Sequence, residues 1–241
     1  MTRVATGWSR RSIFLASLGV AVAVAPSSAR AQTIEATAPQ PPRSPTWELA
    51  AGVRTVYVKS AGFDPFSDND AFPQLSISGT RTVVRSNRLS LAAGIGLDVG
   101  SSTASARGDA SELNLTRLAA VIEARVQPRS RFYLFARVAP GLLHLSASLQ
   151  DASSPEGSSL HASADVFSVD ASAGGALRLG GIGTANIGAW LIADGGYAWA
   201  SSREMVVAPS LGADQNKAGS VDLGNLAARG GFFRLALGLS Y

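Results

Sequence analysis

The chain lacks cysteine altogether and has only two histidines among 241 residues. The absence of cysteine excludes a disulfide framework and any cysteine-ligated metal. No glycine-rich phosphate loop, nucleophile elbow or paired-histidine metal motif occurs either. The sequence therefore predicts neither a cofactor nor a metal site.

A membrane-spanning helix is also missing. The longest apolar run covers residues 13–25, well short of the roughly 20 residues that such a helix needs. This run follows Arg3, Arg10 and Arg11 and precedes Ala29-Arg30-Ala31, the pattern of a cleavable secretory signal. We predict a signal peptide over residues 1–31; the adjacent arginines leave both general secretory and twin-arginine export open.

Without the predicted leader, the chain has no excess of charge of either sign. Residues 1–31 hold four of the 21 basic residues and none of the 17 acidic ones, so 17 of each sign remain. A neutral mature chain gives no support to nucleic-acid binding, and no nucleic-acid partner is predicted. Residues 32–46 are rich in proline, which favours extended, solvated chain, and we interpret them as a periplasmic N-terminal segment.

Residues 47–241 show apolar side chains at every second position, with almost no helical periodicity. This alternation indicates β-strands. Eight stretches carry it, and the second is weaker because Arg81 interrupts its apolar face, so a bulge is expected there. The predicted strands are 47–58, 74–85, 88–99, 113–126, 131–146, 165–179, 184–199 and 230–241.

Alternation alone fits a soluble barrel with an apolar interior and a membrane barrel with an apolar exterior. Two features favour the membrane. Most stretches have ten or more residues, enough to cross a bilayer as tilted strands. Short joins also alternate with long ones, as in barrels with periplasmic turns and extracellular loops. The short joins are 86–87, 127–130 and 180–183, and the long joins are 59–73, 100–112, 147–164 and 200–230.

The last strand places apolar side chains at every second position back from a terminal aromatic: Phe233, Leu235, Leu237, Leu239 and Tyr241. In this pattern the chain resembles the Gram-negative outer-membrane β-barrel family, most closely the OmpA transmembrane domain and OmpX-like proteins. The resemblance implies an all-β fold, an eight-stranded antiparallel up-and-down transmembrane barrel in the cell outer membrane. It further implies a monomer that contacts outer-membrane lipid and lipopolysaccharide, and a last strand that the barrel assembly machinery reads.

An apolar exterior would direct the other face of every strand into one lumen. Since eight strands enclose an interior just wide enough for side chains, we expect the lumen charges to pair and to leave no open pore. The predicted lumen network comprises Glu48, Arg54, Arg117, Glu123, Arg125, Arg137, Asp170, Arg178, Asp194 and Arg234.

His144 and Ser146 are weak catalytic candidates. Residues two apart on a strand share a face, so His144 could act as general base for Ser146, and Asp165 could orient the histidine. The spacing resembles the His-x-Ser of the lipid A deacylase barrels, although Ala147 stands where that family has asparagine. We predict a non-enzymatic barrel with surface-exposed loops and a role in envelope structure or surface interaction. A narrow porin-like channel for small solutes and a lipid A acyl hydrolase are the alternatives.

Overall fold

The structure is a computed structural model that describes residues 45–60, 63–67, 70–86, 88–106, 109–150, 159–182, 187–209 and 221–241. The chain divides into two units, Met1–Pro39 and Gln40–Tyr241, and every described residue belongs to the second. The predicted signal peptide and residues 32–44 lie outside the described residues.

Ten strands and one short 3-10 turn, Asp64–Phe66, occur in the described ranges. The strands are β1 Trp47–Tyr57, β2 Ala71–Ser86, β3 Leu89–Ala106, β4 Asp109–Arg129, β5 Phe132–Gln150, β6 Ser159–Ile182, β7 Ile187–Ala200, β8 Arg203–Pro209, β9 Val221–Leu226 and β10 Gly230–Ser240. No helix in these ranges is long and apolar enough to cross a membrane.

Eight of the strands form a closed antiparallel ring. Each strand from β1 to β7 pairs with the next, and β10 pairs with both β7 and β1. The predicted eight-stranded up-and-down barrel is thereby confirmed. Closure gives every strand of the ring two hydrogen-bonded neighbours, so the barrel has no free edge. The expected irregularity near Arg81 is a register shift between Thr82 and Val84 in the pairing of β2 with β3.

The long joins differ from the prediction, because much of their sequence continues the strands. β3 extends to Ala106 and β4 begins at Asp109, while β5 extends to Gln150 and β6 begins at Ser159. The join 200–230 contains the hairpin of β8 and β9, which the sequence interpretation missed. Outward positions in these stretches carry serine, threonine or asparagine, which resemble loop composition when burial is unknown.

Side chains alternate between exposed apolar and buried polar along the middle of the ring. In β10 the alternation is unbroken: Phe233, Leu235, Leu237 and Leu239 are exposed, whereas Arg234 is buried. This arrangement is the opposite of a soluble barrel, in which the apolar face is the buried one. The apolar exterior and polar interior match the orientation that the strand lengths and joins predicted.

The polarity of the two faces reverses toward the end of the barrel that carries the long joins, here called the long-join end. Leu113, Leu115, Leu143 and Leu145 point inward there and form a buried apolar cluster with phenylalanines near the 3-10 turn and with side chains of β8 and β9. The hydroxyl of Ser102 donates to the carbonyl oxygen of Phe66 at 2.7 Å, which fixes the 3-10 turn to β3. The strands therefore continue past the apolar belt as a segment built like a soluble barrel.

Candidate functional site

The interior of the ring holds ten buried charged side chains, five of each sign. Nine of them are predicted lumen residues, and the tenth is Asp98 on β3. The basic members are Arg54, Arg117, Arg125, Arg137 and Arg234, and the acidic members are Glu48, Asp98, Glu123, Asp170 and Asp194. Equal numbers of opposite charges allow the interior to be neutral, which lowers the cost of removing these groups from water.

Four of these residues form a cluster nearer the long-join end. Arg54 contacts Asp98 at 2.8 Å and Asp170 at 2.7 Å, and Arg117 contacts the same two carboxylates at 3.0 and 2.9 Å. Arg117 also donates to the hydroxyl of Ser168 at 3.0 Å. Each carboxylate thus lies between two guanidinium groups contributed by different strands.

A second cluster lies nearer the short turns. Glu123 accepts from Arg125 at 2.6 Å and from Arg137 at 2.7 Å, and Arg125 extends to Glu48 at 3.3 Å. The phenol of Tyr133 donates to the other oxygen of Glu48 at 2.6 Å. Glu123 is fully buried, so both of its oxygens depend on these arginines.

The remaining pair joins Arg234 of β10 to Asp194 of β7 at 2.7 Å. A cavity of about 30 Å³ is bordered by the four residues of the first cluster and by Arg137 and Arg234. Toward the short turns Tyr133, Phe135 and Trp190 fill the barrel. Within the described part of the barrel the interior is occupied by side chains, and this cavity has room for water molecules only.

The structure differs from the sequence prediction at two residues. Arg178 is predicted to lie in the lumen, but its side chain is exposed at the end of the barrel with the short turns, here called the turn end, where the pairing of β6 with β7 shifts register between Arg178 and Gly180. Asp98 was missing from the predicted network although it lies on the polar face of the third predicted strand. The alternation could have identified it.

The weak catalytic candidates lie on the exterior. Nδ1 of His144 is 2.7 Å from Oδ1 of Asp165, its direct cross-strand neighbour, and both side chains are exposed. Ser146 follows two residues later on the same face of β5. Toward the barrel centre, the preceding outward row is Leu118, Leu142 and Phe167. The histidine–aspartate pair thus lies at the edge of the apolar belt.

Exposed aromatic side chains occur near both edges of this belt. Trp47 and Tyr241 mark the turn end, and Tyr57, Tyr197 and Trp199 mark the long-join end. Amphipathic rings are typical of the two membrane interfaces. Among the described residues, no group of three or more potential ligands is placed to hold a metal ion.

These features define a closed eight-stranded antiparallel barrel with an apolar exterior and a packed ionic interior. No protein-family model matches the sequence, and no curated protein is detectably similar to it. Among solved structures, the fold is similar to Ail, the attachment invasion locus protein of Yersinia pestis, at 12% identity over 81% of this chain and 97% of that one, with a TM-score of 0.44. Neisserial surface protein A is likewise 12% identical over 81% of this chain and 97% of that one, with a TM-score of 0.44. Outer membrane protease OmpT from Escherichia coli is 10% identical over 82% of this chain and 93% of that one, with a TM-score of 0.41.

Proposed function

We propose that this chain is a non-enzymatic barrel of the Gram-negative outer membrane that contributes to envelope structure or surface interaction. The observation that carries the proposal is the exposure of apolar side chains all round the ring while ten charged ones are buried within it. A continuous apolar exterior is strongly unfavourable in water, since soluble monomers rarely expose apolar patches larger than a few hundred Å². In hydrocarbon the same surface is the stable arrangement.

Strand length and the position of the joins support an orientation in the membrane. β1 and β10 have 11 residues each, the length with which a tilted strand crosses a bilayer. Strands β3 to β6 continue beyond the apolar belt at the long-join end. We assign this long-join end to the cell surface and the short turns to the periplasm.

The proposal is tested by fractionation and by heat-modifiable migration. We expect the chain in the outer-membrane fraction, extractable only with detergent. A folded barrel should migrate differently on gels before and after boiling. Recovery of fully soluble protein without detergent would contradict the proposal.

The packed interior favours a closed barrel over the narrow-channel alternative. An ion pair crosses the lumen at each cluster, Arg54 with Asp170 at 2.7 Å and Arg125 with Glu48 at 3.3 Å, and buried aromatic side chains fill its turn end. We expect no discrete conductance in planar bilayers. Reproducible single-channel steps from the purified chain would favour the channel instead.

A lipid acyl hydrolase is a second candidate, supported by the contact between His144 and Asp165. A carboxylate on Nδ1 orients a histidine so that its other nitrogen can take a proton from a serine. Ser146 is the neighbouring hydroxyl on the same strand face. If Ser146 attacked an ester carbonyl, the alcohol of the lipid would leave first and water would then release the fatty acid.

This candidate predicts loss of a fatty acid from lipid A when the chain is expressed. Ser146→Ala should abolish that loss. Ser163→Ala is the matched control, because Ser163 lies directly opposite Ser146 on β6 and is not the proposed nucleophile. Unchanged lipid A on expression of the original sequence would exclude the hydrolase.

A further inference from the structure

Among the described residues, the exposed charged side chains at the turn end are all basic. Six exposed arginines lie there: Arg81, Arg85, Arg88, Arg129, Arg131 and Arg178. The sequence stretches that build the three turns, 79–91, 126–133 and 176–190, contain no aspartate or glutamate. We call these six side chains the arginine collar.

The opposite end has the reverse balance. Its connecting stretches, 59–70, 101–116, 144–165 and 201–229, contain seven acidic and three basic residues among those that the structure describes. The ionic clusters between the two ends are balanced at five charges of each sign, so they do not offset the collar. Charge is therefore unevenly distributed along the axis of the described barrel, with basic side chains in excess at the turn end and acidic ones in excess at the long-join end.

The collar lies where the apolar belt stops. Leu89 and Leu179 follow Arg88 and Arg178 and are exposed on the barrel exterior, whereas Nε of Arg178 lies near Trp190 and Ser240 on the lumen side. Arg81 lies beside Trp47 in the pairing of β1 with β2, and its guanidinium carbon is 5.0 Å from the centroid of the indole ring. Cations and aromatic rings at this depth face lipid headgroups.

We propose that the arginine collar binds the phosphates of anionic glycerophospholipid headgroups in the leaflet that surrounds the short turns. This inference rests on the proposed membrane location and names the class of lipid that contacts the turn end of the barrel. The planar fork of arginine matches phosphate with two parallel hydrogen bonds. Among the described turn residues, no acidic side chain competes with the headgroups for Arg81 and Arg131.

The inference is tested on the full chain in vesicles of equal parts phosphatidylglycerol and phosphatidylcholine. After extraction in mild detergent, native mass spectrometry counts the lipids that each protein retains. The test variant carries Arg81→Gln and Arg131→Gln. The control carries Lys59→Gln and Arg203→Gln, which remove the same charge from exposed positions at the long-join end.

We expect the original chain to retain phosphatidylglycerol in preference to phosphatidylcholine. The preference should fall at least about fivefold in the collar variant, because each cation near an anionic surface strengthens binding by about that factor. It should be unchanged in the control. In the original chain, the preference for phosphatidylglycerol should also fall as the salt concentration rises, because salt screens exposed charges.

Three results would overturn the inference: no preference in the original chain, an unchanged preference in the collar variant, or an equal fall in both variants. Heat-modifiable migration is measured on every protein in parallel. A chain that migrates as a folded barrel but lacks the preference contradicts the collar alone. A chain that never folds into vesicles contradicts the proposed function instead.

Discussion

At the scale of single residues, the ionic interior depends on Glu123, whose two oxygens accept hydrogen bonds from Arg125 and Arg137. Strict alternation places Glu123, Arg125 and Arg137 on the inner face of their strands. The pairing of each carboxylate with a guanidinium depends on the register between strands and on the direction of the side chains across the lumen. Alternation alone predicts neither of these. The same holds for His144. The sequence does not fix Asp165 as its partner, whereas the register of β5 with β6 places Asp165 beside it.

Glu123→Gln tests the buried network. The amide keeps the shape of the side chain but leaves Arg125 and Arg137 without their shared carboxylate. Breaking a buried ion pair by removing one partner costs about 3–5 kcal/mol, so the free energy of unfolding in urea should fall by that order. Glu112→Gln on the same strand is the control, because Glu112 is exposed and should change the value by less than about 0.5 kcal/mol. Equal effects of the two substitutions would contradict a structural role for the lumen network.

At the scale of elements, the strands with clean alternation were predicted well and the segments beyond the apolar belt were not. β8 was missed because it has only seven residues. Its two inward side chains, Met205 and Val207, are buried in the folded chain, and so short an alternation does not predict this. The extensions of β3 to β6 resemble loops in sequence for the same reason. Their inward apolar residues are buried because the 3-10 turn and the β8–β9 hairpin cover them.

Glycine at position 52 is required by the close approach of β1 and β10. A Cβ atom at Gly52 would overlap the backbone of Leu235 and Ala236, whereas one at Gly79 would meet only a methyl carbon of Leu49 at 3.9 Å. Gly52→Ala should therefore lower the free energy of unfolding by about 1–3 kcal/mol, the usual cost of overpacking. Gly79→Ala should leave it nearly unchanged. A neutral Gly52→Ala would show that the two strands can separate without cost.

At the scale of the whole molecule, the outward direction of the apolar side chains underlies both the proposed location and the arginine collar. Chain length and composition could not have fixed this direction, since a soluble barrel of the same size satisfies them. The distribution of short and long joins favoured it, and the burial of the charged residues agrees with it. The reversal of polarity at the long-join end marks where the surrounding hydrocarbon should end.

A charge on the belt should be costly only if the belt faces lipid. Leu237→Arg places a guanidinium near the middle of the apolar belt, where β-barrels in bilayers lose about 2–4 kcal/mol. Asn114→Arg makes the same change on the polar exterior of the long-join end and should have little effect. Unfolding in urea from lipid vesicles gives both values. Equal stability of the two variants would argue against a lipid-facing belt.

The absence of cysteine permits the most direct test, a single label at Leu237→Cys in vesicles whose lipids carry a quencher in the acyl chains. The account predicts that a fluorophore at this position is quenched by the acyl-chain quencher and shielded from iodide in water. The matched label at Asn114→Cys should show the opposite behaviour. A label at position 237 that iodide reaches as readily as the one at position 114 would contradict the account.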